Sequence, residues 1–338
     1  MRPALFYEKT DPPRCGLCGH FCIIKPGQSG RCRIRVNKEG SLYTLTYGHL
    51  LAANVDPVEK KPLFHFMPGS STFSIALAGC NFSCDFCQNW QISQATHELM
   101  EQSSALPVIR PIHIVQRARR TRCQSISYTY TEPIVFWEYA LDCMQLAKEA
   151  GLANIAISNG FGSEAAWRAA AGLLDAANID LKAFDQTFYK NQCNASLPKV
   201  LDSLRQLKEM GVWLEVTTLL IPGLNDNAGQ LEKLATFIAR ELGPEVPWHV
   251  SAYRPAYKQN APATTVGQLQ KASDIARQAG LRFVYMGNVP HGADTACLSC
   301  GHTLIGRSHF QVLYNNISEN GQCPKCGAPA QGRWQWTK

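Results

Sequence analysis

Fourteen cysteines stand in a chain of 338 residues, and most fall into three sets: Cys15, Cys18, Cys22 and Cys32; Cys80, Cys84 and Cys87; and Cys297, Cys300, Cys323 and Cys326. The first residues carry no continuous apolar stretch of the secretory kind, and no apolar run approaches the length of a membrane span. A cytoplasmic location is therefore expected. Reducing conditions there disfavour structural disulfides, so metal or redox chemistry becomes the expectation. Cys123, Cys143 and Cys193 stand alone among apolar or mixed neighbours and read as small buried hydrophobes without chemistry.

Cys80-x3-Cys84-x2-Cys87 is the most informative set. Three thiolates so closely spaced on a loop can ligate three corners of a cubane 4Fe–4S cluster and leave the fourth iron without a protein ligand. An open coordination position can chelate the amino and carboxylate groups of a small molecule. For S-adenosylmethionine (SAM) this brings the sulfonium against the cluster. One electron then breaks a C–S bond and yields a 5′-deoxyadenosyl radical able to abstract hydrogen from unactivated carbon. A zinc knuckle is the competing reading, but zinc sites close with four ligands in two separated pairs, which this triplet does not offer. Phe86, the aromatic residue before the last cysteine, also belongs to the radical signature.

The elements that must position this loop follow a βα rhythm from about residue 73 to 286. Strands are expected at 73–78, 125–130, 154–158, 178–182, 212–219, 248–252 and 281–285, with helices at 134–150, 164–176, 196–210, 228–242 and 265–279. Glycines at 151, 211, 243 and 280 occupy helix C′ positions. This is too few strands for a complete eight-fold barrel. A partial (β/α)6 TIM-like barrel and an open doubly wound sheet both fit, and in either the functional residues belong where strands end. Cys80, Glu132, Asn159, Asp180 and Lys182, and the Asn225–Asp226 pair all fall at such ends.

Several segments together carry a family resemblance: DPVEKKPLFHFMPGS (56–70), GCNFSCDFCQNW (79–90), SYTYTEP (127–133), SNG (158–160), IDLKAF (179–184), TLLIPGLND (218–226), PWHVSAYRP (247–255) and YMGNVP (285–290). The triplet resembles the radical SAM superfamily motif, and the whole is similar to the radical SAM member of the AmmeMemoRadiSam system, a group related to pyruvate formate-lyase activating enzymes. The resemblance implies a partial barrel of the radical SAM type with a 4Fe–4S cluster and SAM as cofactors. Glu132 matches the position that meets the SAM amino group, with Tyr130 and Thr131 in place of the superfamily's two glycines. Ser158 and Asn159 match a turn near the SAM ribose, and Asp180 and Lys182 match residues lining the cofactor, where Lys182 could neutralise a carboxylate. His249 matches a histidine near the cofactor, although an ordinary core histidine accounts for it equally well. The resemblance further implies a small electron donor such as ferredoxin or flavodoxin and a link to Memo and AMMECR-type proteins.

Other features read more simply. An Asx turn accounts for Asn225 and Asp226 without a ligand. Glu59-Lys60-Lys61-Pro62 reads as a solvated turn, and the adjoining Phe64-His65-Phe66 suggests a lid over the cluster mouth. The arginines at 110, 117, 119, 120 and 122 read as a solvated helix face.

The outer cysteines suggest metal-bearing ends. Cys297-x2-Cys300-Gly and Cys323-x2-Cys326-Gly are matched knuckles that make a tetrahedral site, giving a zinc ribbon or rubredoxin-like segment holding zinc or mononuclear iron. Cys15, Cys18, Cys22 and Cys32 could hold zinc or a second 4Fe–4S cluster. One proper knuckle in a turn-rich segment favours zinc. The domain organisation expected is a cysteine-rich segment at 1–50, the barrel at 51–290 and the ribbon at 291–338.

A 45% hydrophobic and 17% charged composition excludes wholesale disorder and coiled coil. The net charge of +7 weakly favours anionic partners. The function expected is a radical SAM enzyme that abstracts hydrogen from a peptide, protein or small-molecule substrate. The alternative is a zinc-rich module binding nucleic acid or protein without catalysis, with its arginines on phosphate. It leaves unexplained why three cysteines sit on a strand-end loop, so nucleic acid is the less expected partner.

Overall fold

Short runs rich in β-branched and apolar residues form the centre of the molecule, because strands buried on both faces need apolar residues at nearly every position. In the computed structural model, which describes residues 1–335, an eight-stranded sheet contains β1 (Leu50–Pro57), β2 (Ser71–Leu77), β3 (Ser125–Tyr128), β4 (Ala153–Ser158), β5 (Ala176–Asp180), β6 (Trp213–Leu220), β7 (Trp248–Ala252) and β8 (Val284–Gly287). Strands β2 to β8 are parallel and neighbours in sequence order, while β1 runs antiparallel along the edge of β2. A doubly wound sheet would reverse its strand order at a switch point. This sheet winds in one direction only, so the partial-barrel expectation holds and the doubly wound one is set aside.

Helices cover the outside and are capped as their sequences suggest. Ser163, Asp185 and Asn227 each accept backbone N–H bonds at a helix start, and Thr265 with Gln268 forms a capping box. Gly151, Gly211 and Gly280 take positive φ after the helices Trp137–Glu149, Leu197–Glu209 and Val266–Gln278, where a side chain would be strained. The helix expected at 164–176 stops at Ala169, and a turn leads into β5. The arginine-rich helix Pro111–Arg120 packs Ile114, Val115 and Ala118 inward and leaves Arg119 and Arg120 in solvent. Among the described residues no helix is long and apolar enough to cross a membrane.

The two ends of the chain attach to opposite ends of the barrel. Residues of the first segment, including Leu17, Ile24, Ile34 and Leu42, join the main core. Gly19 N donates to Phe161 O and Ser163 N to Leu17 O, at loops following β4. The other end forms a three-stranded antiparallel ribbon, Thr295–Ala296, Thr303–Ser308 and Gln311–Asn315, around a small core of its own. It docks where the parallel strands begin. Arg307 donates to Phe64 O at 2.6 Å, Arg333 N to His65 O, and the Arg333 guanidinium to Asp175 O and Gly211 O.

Because β1 is antiparallel, residues 58–70 turn at the barrel's N-terminal end. This corrects the reading of Phe64-His65-Phe66 as a lid over the cluster mouth. His65 is fully buried, bonded through Nδ1 to Gln331 O at 2.6 Å and through Nε2 to Tyr285 Oη at 2.5 Å. Glu59-Lys60-Lys61-Pro62 is likewise no solvated turn, since Glu59 and Lys61 are each 1% exposed.

Candidate functional site

Loops at the C-terminal strand ends enclose a cavity of about 420 Å³, a volume typical of small-molecule sites. Cys80, Cys84, Phe86 and Cys87 form one wall, and Glu132, Ser158, Asn159, Asp180 and Lys182 line the rest of the strand-end rim. The structure therefore brings together every residue expected around the cluster and cofactor except His249. That ring lies near the start of β7, where Nε2 meets Glu215 Oε2 at 2.6 Å and the ring stacks with Tyr285, away from the cavity. Glu215 also accepts from Phe64 N, His65 N and Trp213 Nε1. His249 is thus the satisfied core histidine.

Each cysteine of the triplet has polar company. Phe82 N donates to Cys80 Sγ at 3.3 Å, Asn159 Nδ2 lies 3.6 Å from the same sulfur, and Ser93 Oγ lies 3.2 Å from Cys87 Sγ. Cys193, expected to be inert, packs against Cys84. Its thiol, with the Lys182 ammonium, favours thiolate at Cys84 despite burial. Burial pushes the Cys80 thiol well up, and Glu132 adds to this. A cationic metal is what this thiol needs in order to ionise.

The Glu132 carboxylate joins the ends of β3 and β4. Its Oε1 accepts from Ser158 Oγ at 2.8 Å and Ile134 N at 3.1 Å, and its Oε2 accepts from Asn159 N at 2.8 Å. Burial nevertheless pushes this carboxyl up to about 7, against those three hydrogen bonds and with a smaller push from Asp180. Lys182 Nζ pairs with Asp180 Oδ2 at 2.9 Å and lies 5.8 Å from the Phe86 ring centre. Asn225 and Asp226 do hold a loop: Asn225 Oδ1 accepts from Ile221 N and Asp226 Oδ1 from Gly223 N.

Tyr130 adopts φ of +66°, the left-handed conformation a glycine takes without strain. Its backbone carbonyl accepts from Asn89 Nδ2 and its hydroxyl donates to Asp56. Asp56 also meets Lys60 and Lys61 at 2.8 and 2.7 Å. Lys60, Lys61 and Pro62 form the cavity floor, which sequence reasoning missed. The overlooked signal was β1 itself, since only an antiparallel strand before β2 turns that run up into the barrel. Thr217 Oγ1, on the cavity wall, is buried with no partner, leaving a polar group for a ligand to satisfy.

The C-terminal cysteines form a ready metal site. All four sulfurs lie within 4.8 Å of one another, and the Cys297–Cys326 and Cys300–Cys323 separations are both 3.7 Å. A tetrahedral ion with sulfurs at 2.3 Å requires about 3.8 Å between them. Amides of Cys300 and Ser299 face Cys297 and bring its thiol down to about 6. Gly301 and Gly327 close the two knuckles with positive φ.

Residues 74–238 match the Radical SAM superfamily. An uncharacterised protein of Methanocaldococcus jannaschii is 42% identical over 333 residues, covering 97% of this chain and 98% of that protein. Another uncharacterised protein of the same organism is 24% identical over 284 residues, 80% of this chain and 76% of its own length. Among solved structures, a radical SAM methyltransferase from Sphaerobacter thermophilus superposes with a TM-score of 0.51 at 17% identity, over 70% of this chain and 71% of that one. SuiB from Streptococcus suis, bound to S-adenosylmethionine, gives 0.50 at 11% identity, over 68% and 53%. The chain belongs to the radical SAM superfamily, with the fold that name denotes. It is a radical SAM enzyme, which sets aside the reading as a non-catalytic zinc module.

Proposed function

We propose that this chain cleaves S-adenosylmethionine reductively at a 4Fe–4S cluster held by Cys80, Cys84 and Cys87 and abstracts hydrogen from an organic substrate. The observation that carries this reading is the placing of those three sulfurs on the wall of a strand-end cavity that also gathers Glu132, Ser158, Asn159, Asp180 and Lys182. When bound, a reduced cluster supplies the electron that breaks the C–S bond and releases a 5′-deoxyadenosyl radical. The protein's own residues bind and orient. Glu132 offers a carboxylate to the SAM amino group, Ser158 and Asn159 set the turn beside the ribose, Lys182 answers a carboxylate, and Phe86 packs under the site.

The finer assignment is to the AmmeMemoRadiSam group, related to the pyruvate formate-lyase activating enzymes. Parts of the motifs carrying it line the cavity, residues 60–62, 129–132, Asp180 and Lys182 among them. In this reading residues 51–290 are the catalytic barrel, 1–50 and 291–338 are metal-bearing ends, and the C-terminal four cysteines hold zinc or mononuclear iron. Ferredoxin or flavodoxin supplies the electron. The substrate is a peptide, protein or small molecule, with Memo and AMMECR-type proteins as functional companions. Anaerobically purified protein should be brown and, with dithionite, convert SAM to 5′-deoxyadenosine and methionine. The C80A/C84A/C87A chain should form no 5′-deoxyadenosine. A colourless wild-type protein holding zinc alone would sink the reading.

A further inference from the structure

The first cysteine set differs in geometry from the last. Among the described residues, the C-terminal four are the one group of three or more potential ligands whose donor atoms all lie within 4.8 Å. No three of Cys15, Cys18, Cys22 and Cys32 therefore meet that closely, although the four lie within reach of one another's charge. Cys15 feels the charges of Cys22 and Cys32, Cys18 those of the other three, and Cys15 N donates to Cys22 O at 2.8 Å. A single tetrahedral ion with 2.3 Å bonds draws its sulfurs to about 3.8 Å. A cubane spreads them further, because each thiolate ligates a different iron at a corner of the cluster. Cys80, Cys84 and Cys87 share the wide spacing, and the C-terminal knuckles show what this chain does when the site is mononuclear.

A second observation points the same way. Arg35 is 1% exposed and pairs through one nitrogen with Glu138 at 2.7 Å, yet its Nε and other terminal nitrogen are buried without a partner. The guanidinium lies in the field of Cys15 and Cys32. Unanswered buried N–H groups on a full charge are costly, and a polynuclear anion with sulfide acceptors would answer both donors and charge.

We propose that Cys15, Cys18, Cys22 and Cys32 ligate a second 4Fe–4S cluster, in place of the zinc their one knuckle suggests. Its seat adjoins the first. Cys32 and Cys80 line one cavity of about 680 Å³, with Arg31, Arg33 and Lys258 on its wall. A Cβ built on Gly79 would fall 3.4 Å from Cys32 O and closer still to Ile34, so the two cysteine loops are in contact.

Acid-labile sulfide, iron and zinc, counted per chain in anaerobically reconstituted protein, decide the matter, since a mononuclear ion of either metal adds no sulfide. The wild-type chain should hold about eight sulfides and the C80A/C84A/C87A chain about four, the latter with one S = 1/2 signal on reduction. In the fully reduced wild-type protein the two signals should broaden each other, as neighbouring spins do. About four sulfides in the wild-type chain, none in the variant and a second zinc would overturn the proposal while leaving the SAM chemistry standing. About four in both would instead remove the Cys80–Cys87 cluster and keep this one. About eight sulfides in the wild-type chain upholds the proposal even if that variant does not fold, and at a wild-type count of about four the C15A/C18A/C22A/C32A chain decides: sulfide retained there overturns the proposal, and sulfide lost upholds it.

Discussion

Replacing His65 should weaken the seat of the C-terminal ribbon and leave SAM cleavage intact. The ring is fully buried and makes two side-chain hydrogen bonds, donating from Nδ1 to Gln331 O and accepting at Nε2 from the Tyr285 hydroxyl. It also packs against Phe283, Trp334 and Trp213. His65→Ala removes both bonds and opens a cavity, at a cost of roughly 3–5 kcal/mol. His65→Asn, whose amide can still donate toward Gln331 O, should lose less. The same residue gives an acid signature. Burial holds the imidazole at about 4 against the usual 6.5, outweighing the pull of Glu215. Between those values the unfolded chain takes up a proton that the folded chain refuses, so stability falls as the pH falls. By pH 5 the loss is about 2 kcal/mol. Urea midpoints of wild-type and His65→Phe protein between pH 7 and 5 read the effect as a difference, and 5′-deoxyadenosine formation at pH 7.5 reads the chemistry. Equal midpoints for wild-type and His65→Ala chains, or lost cleavage with an unmoved midpoint, would refute the argument.

Glu132, held at about 7 by burial, works in the opposite sense: the folded chain keeps a proton that the unfolded one releases, so its contribution falls by about 3 kcal/mol as pH rises from 4.5 to 7. Subtracting the Glu132→Gln unfolding profile from that of the wild type should expose that slope, and a flat difference would count against it. Lys61, brought down to about 8 by burial against the pull of Asp56, should make the wild-type chain gain stability relative to Lys61→Met as pH climbs from 8 toward 10.5. Cys323→Ser should release the C-terminal metal and open residues 291–335 to protease with no loss of inorganic sulfide, because a structural site of four cysteines carries much of its segment's folding energy. Sulfide lost in parallel would show that the two ends are not independent.

The strand-end rim was legible because each of its residues lies at or within a few residues of the end of a short strand. Cys80, Glu132, Asn159 and Asp180 needed only the strand that precedes them and the rule that parallel strands deliver side chains at their C-terminal ends. The floor was not legible. Strand β1 is half-exposed to exposed along most of its length, so it lacks the apolar signature of its neighbours. Without it, Asp56 and Lys61 look like surface charge and Phe64-His65-Phe66 like a flap. His249 failed for another reason: alternation along β7 tells which face a side chain takes, but not its height along the barrel axis. Nor does sequence reveal that Glu215, 151 residues from Phe64, gathers that residue's amide and His249 into one buried group. The wide and narrow cysteine sets are likewise indistinguishable as text, since sulfur separation depends on loop shape.

The pairing of Arg333 with His65 and Met67 has a consequence for biosynthesis. Synthesis must have passed Arg333 before the underside of the barrel can be sealed, while the earliest cysteines wait for Phe161 and its neighbours to arrive. Iron delivered before residues 161–163 have emerged would meet thiols whose surroundings are unfinished.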